Sequence, residues 1–514
     1  MSVETVQAWG EFGRRLRSRR RQAGLTQLQL GLRVGYHHTL ISKLESGLRE
    51  PPAGLVRRLD AVLETGGELS ALAAAPREAP PAADRPPLDR KLFGAMPGAD
   101  APGAGEAPDP RLWPAELPAE GLACPLHGTA GCAVPDLGEL PELLAALAAL
   151  TGRSPGPAGT GPLAGAAGAA GPGSARGVAA AARARGTVTG TGTGAGAEAE
   201  LLHALTAVLA CLIREAFHRT TADSLATVER LLRSVVRWAE EVNATGRLPY
   251  GQLRLAAQYA QVAGRLRMQR GQGGIGMAWF GHGLGWADAV HDAPARATLL
   301  SDMCTLVRLD EDPGSTLAYA QAIGAVDPRR RWVATLSGLY QARGYALGHD
   351  AAECRRHITA ARRGFARLGR RDLLEAPWLA GAEGEMRVES AIGGALRDLA
   401  AATGDRTTAR RAVEATARSR ARLPEVMRAT HLLLTLRLAD GWACAGDPGA
   451  AVAVAGPVLR EALAARELMI SAELRGLHGR LFGRWGDLAE VREYRERLRA
   501  ADAADAAEVT GARL

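Results

Sequence analysis

Residues 25–47, LTQLQLGLRVGYHHTLISKLESG, restrict the possible folds of this chain more than any other stretch. Their pattern predicts two short helices joined by a tight turn. Thr26 is a favourable N-cap for the first helix, and Gln29 completes a capping-box pattern three residues later. Gly35 permits the turn because glycine takes left-handed backbone angles at little cost. Helices this short are marginal alone, so the stretch requires neighbouring helices to pack on.

Helical periodicity on both sides of this stretch supplies those neighbours. Residues 7–23 predict a helix that ends at Gly24, a favourable C-cap. Its apolar face carries Trp9, Phe12, Leu16 and Ala23. Its basic face carries Arg14, Arg15, Arg17, Arg19, Arg20 and Arg21. Residues 54–64 predict a further amphipathic helix after a Pro-Pro pair. We therefore expect a compact domain of four or five helices at residues 1–75.

Positive charge is concentrated in this part of the chain. The full sequence carries a formal charge of +8, and residues 1–66 hold 11 Lys+Arg against 6 Asp+Glu. Only Lys43 and Lys91 are lysines, and every other basic residue is arginine. That skew is typical of a GC-rich genome, so the abundance of arginine alone says little about function.

The residue pattern resembles the Cro/lambda-repressor type of helix-turn-helix domain, the XRE family, over about residues 10–66. The matching residues are Leu25, Thr26, Gln27, Leu30, Val34, Gly35, Ile41, Ser42, Leu44, Glu45, Ser46 and Gly47, with Pro51 following. His37 and Gly31 depart from the pattern, because an N-cap hydroxyl and a small alanine are usual there.

The resemblance implies that a recognition helix at about 37–46 enters the DNA major groove. The side chains implied to face DNA are Gln27, His38, Thr39, Ser42 and Lys43. Those implied to contact phosphates, which position the protein rather than specify sequence, are Arg14, Arg15 and Arg49.

Residues 76–199 predict a mostly disordered linker, because they are rich in Ala, Gly and Pro and lack sustained periodicity. One motif within them, CPLHGTAGC, spaces Cys124, His127 and Cys132 like part of a zinc knuckle. Asp136 is a candidate fourth ligand. A structural zinc site needs four ligands, and this motif offers three good ones. The favoured interpretation is therefore cysteines without a metal, and we expect no cofactor.

Residues 200–503 predict helices throughout, with breaks that recur before an aspartate. These aspartates are Asp312, Asp350, Asp405, Asp447 and Asp487, separated by 38, 55, 42 and 40 residues. A repeat of about 40 residues predicts an α-solenoid of paired helices, followed by a disordered tail at 504–514. The whole chain is therefore expected to be all-α.

Two phrases, RLADGWACAGDPGAAVAVAGPVLREAL and LRGLHGRLFGRWGDLAEVREYRERLRA, resemble the tetratricopeptide-like regions that follow an XRE domain in many actinobacterial regulators. That resemblance implies a groove for a peptide, small molecule or protein partner. A dimerisation scaffold without a ligand explains the pattern equally well.

Motifs of catalysis are absent from the sequence. GQGGIG at 271–276 follows a helix rather than a strand, so it lacks the context of a dinucleotide site. The sequence contains no GxxxxGK[ST] or HExxH, and GRSPG at 152–156 matches GxSxG only formally, because it lies in the low-complexity tract and not between a strand and a helix. It also contains no apolar run long enough to span a membrane and no secretory signal pattern. We expect a cytoplasmic protein that is not an enzyme, with its six cysteines as thiols.

These features predict a transcriptional regulator that binds an operator in double-stranded DNA, as a homodimer, and that is controlled through its helical repeats. The alternative is a protein–protein interaction scaffold whose basic head binds DNA without sequence preference.

Overall fold

The computed structural model describes residues 9–34, 38–46, 51, 53–74, 88–94, 96–97, 116–117, 124–126, 132–133, 194–218, 223–424, 427–465 and 467–511. Contacts divide the chain into two compact units, residues 1–86 and 87–514. The described elements are helices apart from two paired strands of two residues each. The all-α prediction is therefore confirmed. None of the described helices combines the length and apolarity needed to cross a membrane.

The first unit contains five helices in its described residues. They are α1 (Gly10–Gln22), α2 (Gln27–Val34), α3 (His38–Glu45), α4 (Ala53–Leu63) and α5 (Glu68–Ala74). Apolar side chains from all five meet in one core. The predicted apolar face of α1 is confirmed at Trp9, Phe12 and Leu16, which are buried. The prediction is wrong for Ala23, which is exposed, and for Arg20, which is buried rather than on the basic face.

The predicted helix boundaries around α2 are confirmed in atomic detail. The backbone N–H of Gln29 donates to Thr26 Oγ1 at 3.1 Å, and the backbone N–H of Thr26 donates to Gln29 Oε1 at 2.9 Å. These reciprocal bonds are the capping box. Gly24 has a φ of +67°, the left-handed conformation expected at the end of α1. Gly35, the predicted turn residue, lies outside the described residues.

The second unit is a stack of helices. These are α6 (Gly194–His218), α7 (Asp223–Ala244), α8 (Tyr250–Gln269), α9 (Gly273–Ala289), α10 (Ala293–Leu309), α11 (Pro313–Val326), α12 (Arg331–Leu347), α13 (Ala351–Phe365), α14 (Arg370–Glu375), α15 (Gly381–Thr403), α16 (Arg406–Ala421), α17 (Arg428–Ala445), α18 (Pro448–Ala455), α19 (Leu459–Ala464), α20 (Leu468–Trp485) and α21 (Ala489–Gly511). Short 3-10 helices lie at Arg90–Phe93, Pro377–Leu379 and Gly456–Val458, and strands β1 (Glu116–Leu117) and β2 (Cys132–Ala133) pair antiparallel.

From α8 onward the helices pack as pairs, α8 with α9, α10 with α11, α12 with α13, α15 with α16, and α17 with α18. The first helices of successive pairs also contact one another, from α8 through α10, α12, α15 and α17 to α20. We call these six the first helices. Each pair buries its apolar surface against its neighbours, which is the arrangement that the repeat pattern predicts.

Asp487 lies in the turn two residues before α21, and the other four recurring aspartates are N-caps of the second helix of a pair. Their carboxylates accept a hydrogen bond from a backbone N–H two or three residues later, at 2.9–3.1 Å. The capped helices are α11 (Asp312), α13 (Asp350), α16 (Asp405) and α18 (Asp447). The long interval between the second and third aspartates contains α14 and a 3-10 turn, which interrupt the repeat.

Two short segments of the predicted linker differ from that expectation. Leu88, Leu92 and Phe93 pack against the core of the second unit, as does Leu126. Asn243 Oδ1 accepts from the backbone N–H of Leu88 at 3.0 Å. Isolated apolar residues inside a low-complexity sequence give no periodic signal, so the sequence could not reveal this packing.

Two helix boundaries also differ from prediction. The last helix, α21, continues to Gly511, whereas the sequence was expected to form a disordered tail at 504–514. This segment is rich in alanine, which has the highest helix propensity. Helix breaks were expected before aspartates, but a further break separates α18 from α19, since Pro457 has no backbone N–H to donate.

Candidate functional site

Helix α3, which contains most of the predicted recognition residues, is packed closely against α1. The contact depends on Gly13 of α1. A Cβ atom on Gly13 would lie 2.4 Å from the backbone oxygen of Leu44 and 2.8 Å from that of Glu45. No side chain larger than hydrogen fits without displacement, so glycine lets the two backbones approach directly.

Glu45, at the end of α3, ties together the first three helices. Its side chain is fully buried and accepts hydrogen bonds from Arg20 of α1, where Nη2 lies 3.0 Å from Oε2 and Nε also donates to Oε1. Gln27 Nε2 of α2 donates to Oε2 at 2.9 Å, and Arg17 Nε donates at 3.4 Å. Arg20 Nη1 also donates to the Leu25 carbonyl at 2.7 Å, which fixes the chain between α1 and α2. The angle of α3 is therefore set by one buried carboxylate.

The electrostatics of Glu45 favour its ionised form. Burial alone would raise the pKa of this carboxyl, but hydrogen bonds from Arg20 and Gln27 and the charge of Arg20 outweigh burial and lower the pKa. Glu45 is therefore an anion at neutral pH, fully compensated by its donors.

Helix α5 is held against α4 by a second buried carboxylate and against α1 by a partly exposed one. Asp60 of α4 accepts from the backbone N–H groups of Leu69 and Ser70 at 2.9 and 2.8 Å. Glu68 at the start of α5 then reaches α1, where it accepts from Arg19 Nε at 2.7 Å and forms an ion pair with Arg15. Part of the basic face of α1 is thus neutralised by α5.

The predicted DNA-facing residues divide into three groups. Gln27 is partly exposed and is bonded to Glu45, so it supports α3 as well as facing outward. Ser42 and Arg14 are exposed, and Arg15 is exposed beside Glu68. The remaining residues are not described in their side chains: His38, Thr39 and Lys43 have backbones in α3, and Arg49 lies outside the described residues.

Sequence reasoning missed the residues that position α3, namely Gly13, Arg20, Glu45 and Asp60. A signal for two of them was present. Arg20 lies four residues after the buried Leu16, and Glu45 lies four residues after the buried Ile41, so both charged residues fall on the apolar faces of their helices. Opposite charges on two facing apolar stripes predict a buried ion pair.

A second polar site lies in the helical stack, and we call it the arginine cluster. It consists of Arg308 on α10, Arg343 on α12, Arg397 and Asp398 on α15, Arg437 and Asp440 on α17, and Glu473 and Arg480 on α20. Every member is on a first helix, so five successive repeats contribute. Five arginines face three carboxylates, an excess of two positive charges.

Each carboxylate of the arginine cluster is well supplied with donors. Glu473 accepts from Arg437 Nη2 at 2.8 Å and from Arg397 Nη1 at 2.7 Å. Asp440 accepts from Arg397 and Arg480. Asp398 Oδ1 accepts from Arg397 Nε at 2.8 Å. Opposing arginines lower the pKa of Glu473 although burial alone would raise it, so the carboxylate is ionised.

The surplus charge of the cluster lies at Arg308 and Arg343. Arg343 is buried, and its Nη2 lies 2.9 Å from Asp398 Oδ2, but its Nε has no hydrogen-bond acceptor within the described structure. Its pKa is lowered to about 9, mainly by burial and also by the neighbouring arginines, while Asp398 acts in the opposite direction. Arg308 is partly exposed and makes no hydrogen bond or ion pair with another described residue, and burial together with Arg437 and Arg397 lowers its pKa. Gly394 of α15 leaves the space for Arg343, since a Cβ there would lie 1.9 Å from Arg343 Nη1.

The glycines of GQGGIG have structural roles. Gly271 has a φ of +74° in the turn before α9, and a Cβ on Gly276 would lie 2.9 Å from the carbonyl oxygen of Gly264 on α8. These positions support the interpretation as a turn and a close helix contact.

Comparison with known protein families identifies the domain type of the first unit. A family model described as a helix-turn-helix domain matches residues 11–73, which run from α1 into α5. No curated protein and no solved structure matches the chain. The first unit is therefore a helix-turn-helix domain, a class of domain that binds DNA.

Proposed function

We propose that this chain is a sequence-specific transcriptional regulator of the XRE type, and that α3 reads an operator from the major groove. The anchoring of α3 is the observation that carries the proposal. Ile41, Leu44 and Glu45 are buried, whereas Ser42 on the opposite side is exposed. A helix held by one face presents its polar face to a groove, as a recognition helix must. In this proposal the chain acts by binding rather than catalysis, in the cytoplasm.

A footprint of the full-length protein on genomic fragments tests this function. The proposal expects protection of a defined sequence with two half-sites, because a homodimer presents two recognition helices. Uniform protection that weakens steeply with salt would instead support the scaffold alternative, in which the basic head contacts only phosphates. Light scattering on the protein–operator complex would then establish whether two chains are bound.

We further propose that the stack, a tetratricopeptide-like repeat domain in this interpretation, senses an anionic ligand at the arginine cluster. An excess of two positive charges, one buried and one partly exposed, costs free energy in the absence of a counter-anion. Arginine binds carboxylate and phosphate oxygens through paired N–H donors. Partial exposure of Arg308 leaves a route from solvent to the cluster.

Thermal unfolding at constant ionic strength tests the sensing proposal, with inorganic phosphate and succinate as separate probes and chloride as the reference. A bound anion should raise the melting temperature of the second unit and leave the first unit unchanged. Arg308→Met and Arg343→Met should each abolish the rise. Arg343→Met should still fold, since Asp398 retains Arg397 as a donor.

The matched control is Arg418→Met, which removes an exposed arginine paired with Glu389 outside the cluster. It should keep the full response to the probe. An equal response in all variants would mean that the anion acts through general salt effects and not at the cluster.

A further inference from the structure

The second helices of two successive pairs, α13 and α16, carry an exposed basic surface. Residues 351–371 hold seven arginines against one acidic residue, and residues 406–422 hold six against one. All thirteen are exposed: Arg355, Arg356, Arg362, Arg363, Arg367, Arg370, Arg371, Arg406, Arg410, Arg411, Arg418, Arg420 and Arg422. We call these thirteen residues the outer basic face. It is separate from the arginine cluster, whose members are all on first helices.

The positive charge of the outer basic face exceeds what the arginine content of the chain explains. Its two stretches, 38 residues in all, carry an excess of 11 positive charges, whereas the whole chain carries +8. The flanking aspartates Asp350, Asp372 and Asp405 accept from backbone N–H groups, and counting them still leaves an excess of eight. Elsewhere in the chain the arginines are balanced by acidic residues, so a local excess of this size is a property of the face.

Two bridges between helices place the arginines of α13 and α16 on one surface. Glu389 of α15 accepts from Arg362 Nη2 of α13 at 3.1 Å and from Arg418 Nη2 of α16 at 2.9 Å. Near the start of both helices, Arg355 Nη2 lies 3.8 Å from Asp405 Oδ2. The apolar sides of the two helices are buried in the stack, so their arginines face away from it.

More than half of the outer basic face is available to an external anion. Seven of its arginines make no ion pair with another described residue: Arg363, Arg367, Arg370, Arg406, Arg410, Arg411 and Arg420. Neighbouring like charges repel one another, and a polyanion that binds them relieves this repulsion and releases its own counterions. Helix α13 has 15 residues and is therefore about 22 Å long, which corresponds to about six phosphates along one DNA strand.

The side chains around these arginines favour one kind of polyanion. A helix that lies on a membrane inserts large apolar side chains beside its basic residues, and single-stranded nucleic acids stack their bases on aromatic rings. The exposed large apolar residues of the described structure are Leu248, Tyr250 and Leu488, and none of them belongs to α13 or α16. Arginines without apolar or aromatic neighbours suit the phosphates of double-stranded DNA.

We propose that the outer basic face binds the phosphate backbone of double-stranded DNA, as a DNA-contacting surface additional to the helix-turn-helix domain. It supplies affinity without sequence preference, because contacts to phosphates carry no base information. Each phosphate that it neutralises makes binding more dependent on salt concentration. This binding does not depend on which sequence α3 reads.

Arginine footprinting of the full-length protein tests this surface directly. The protein is modified with phenylglyoxal, with and without long double-stranded DNA of mixed sequence, and the modified peptides are quantified by mass spectrometry. DNA should protect Arg363, Arg410 and Arg411, whereas Arg492 and Arg499, exposed on α21, should react equally with and without DNA. Equal reaction at all five would overturn the proposal. Protection by phosphatidylserine vesicles but not by DNA would also overturn it and would assign the face to a membrane surface.

Removing the charge gives a second measurement. A variant with four substitutions is used: Arg363→Gln, Arg370→Gln, Arg410→Gln and Arg411→Gln. None of the four arginines leaves a carboxylate without its partner, so the variant should fold, which circular dichroism verifies. Fluorescence anisotropy with the mixed-sequence DNA should show a slope of log affinity against log salt that is smaller by about 2–4, because up to four phosphate contacts are lost. Affinity at about 0.1 M salt should fall at least about tenfold.

The matched control removes the same charge from a balanced part of the stack. Residues 460–499 hold nine arginines against seven acidic residues. The control substitutes four exposed arginines there that also lack an ion pair with a described residue: Arg460→Gln, Arg484→Gln, Arg492→Gln and Arg499→Gln. It should keep the slope of the wild-type protein. Equal losses in both variants would overturn the proposal, since only net charge would then matter. An operator footprint by α3 should persist in both variants at low salt, so the outcome for the face is distinguishable from that for operator recognition.

Discussion

The two units of this molecule use the same pair of residue types, arginine and a buried carboxylate, with different outcomes. In the first unit Glu45 receives Arg20, Gln27 and Arg17, and arginines that it does not engage, such as Arg14, remain exposed on α1. In the second unit Glu473 and its neighbours receive donors from several helices, yet of the two surplus arginines Arg343 is buried and Arg308 is only partly exposed.

In the proposed function, the location of the surplus charge determines which anion each unit binds. Exposed arginines are hydrated and act additively, so they suit the extended row of phosphates on DNA. Enclosed arginines are poorly screened, and a single compact anion that reaches them gains much more per contact. One residue type can therefore serve a long polymer in one unit and a small ligand in the other.

The largest effect should come from removing the carboxylate at the centre of each unit. Glu45→Gln leaves Arg20 buried without its counter-charge, and Glu473→Gln does the same to Arg397 and Arg437. Each change should lower the free energy of unfolding of its own unit by about 3–5 kcal/mol. Hydrogen exchange with mass spectrometry reports the two units separately in the full chain.

The matched control for this comparison is Glu68→Gln. Glu68 pairs with Arg15 and Arg19, whose side chains are 54% and 38% exposed. Exposed ion pairs contribute little, so the loss should be below about 1 kcal/mol. If Glu68→Gln and Glu45→Gln destabilise equally, Glu45 is not the anchor of α3.

Lowering the pH should destabilise the first unit, because its buried carboxylates then become protonated. The pKa of Glu45 is lowered from its ordinary 4.5, and hydrogen bonds also lower the pKa of Asp60 despite the opposing effect of burial. A lowered folded-state pKa means that the unfolded chain takes up protons first. The stabilisation is thus complete above about pH 4.5 and is lost as the pH falls below it. Hydrogen exchange at pH 6 and pH 4 should show residues 9–74 opening more at pH 4, and Glu45→Gln should flatten this dependence.

A smaller effect is expected where α1 meets α3. Gly13→Ala brings a Cβ against the backbone of Leu44, which cannot move without shifting α3, and should cost about 1–3 kcal/mol. Gly281→Ala in α9 is the control, because no atom lies within 4 Å of the added Cβ. It should stabilise the second unit by up to about 1 kcal/mol through helix propensity. Urea denaturation followed by peptide-level exchange measures both, and destabilisation by Gly281→Ala would undermine the steric argument.

Measurements of DNA binding should distinguish the side chains of the first unit that contact base edges from those that contact only phosphates. Ser42→Ala or Lys43→Ala should weaken binding to the operator by about 1–3 kcal/mol with little change on unrelated DNA. Arg14→Ala should weaken binding to both by a similar factor and reduce the salt dependence. Fluorescence anisotropy over a salt series measures these differences. Equal losses on all DNA from Ser42→Ala would make it a phosphate contact.

Most of the first unit could be predicted because its information is local. The capping box at Thr26 and the left-handed Gly24 each depend on a few neighbouring residues, and both are present as expected. The helix pairs of the second unit were likewise visible through their capping aspartates. Each of these features depends on residues that lie within about four positions of one another in the sequence.

The positioning residues were harder to predict because they act between helices distant in sequence. Arg20 meets Glu45 over 25 positions, and Arg397 meets Glu473 over 76. In a chain with 63 basic residues, composition does not tell a buried arginine from an exposed one. Only the position of an arginine on the apolar face of its helix indicates that it is buried. The carboxylate that permits this burial is determined by tertiary packing.

The smallest effect compares the turns of the two units. The turn after α1 uses Gly24 at a φ of +67°, whereas the turn between α12 and α13 uses His349 at +61°. Left-handed angles cost a side chain about 1–2 kcal/mol, and glycine loses about 0.5–1 kcal/mol of unfolded-state entropy. His349→Gly should therefore stabilise the second unit by about 0.5 kcal/mol, and Gly24→Ala should destabilise the first by about 1 kcal/mol. Differential scanning calorimetry measures both, and a loss of stability in His349→Gly would mean that its side chain makes contacts that outweigh the backbone cost.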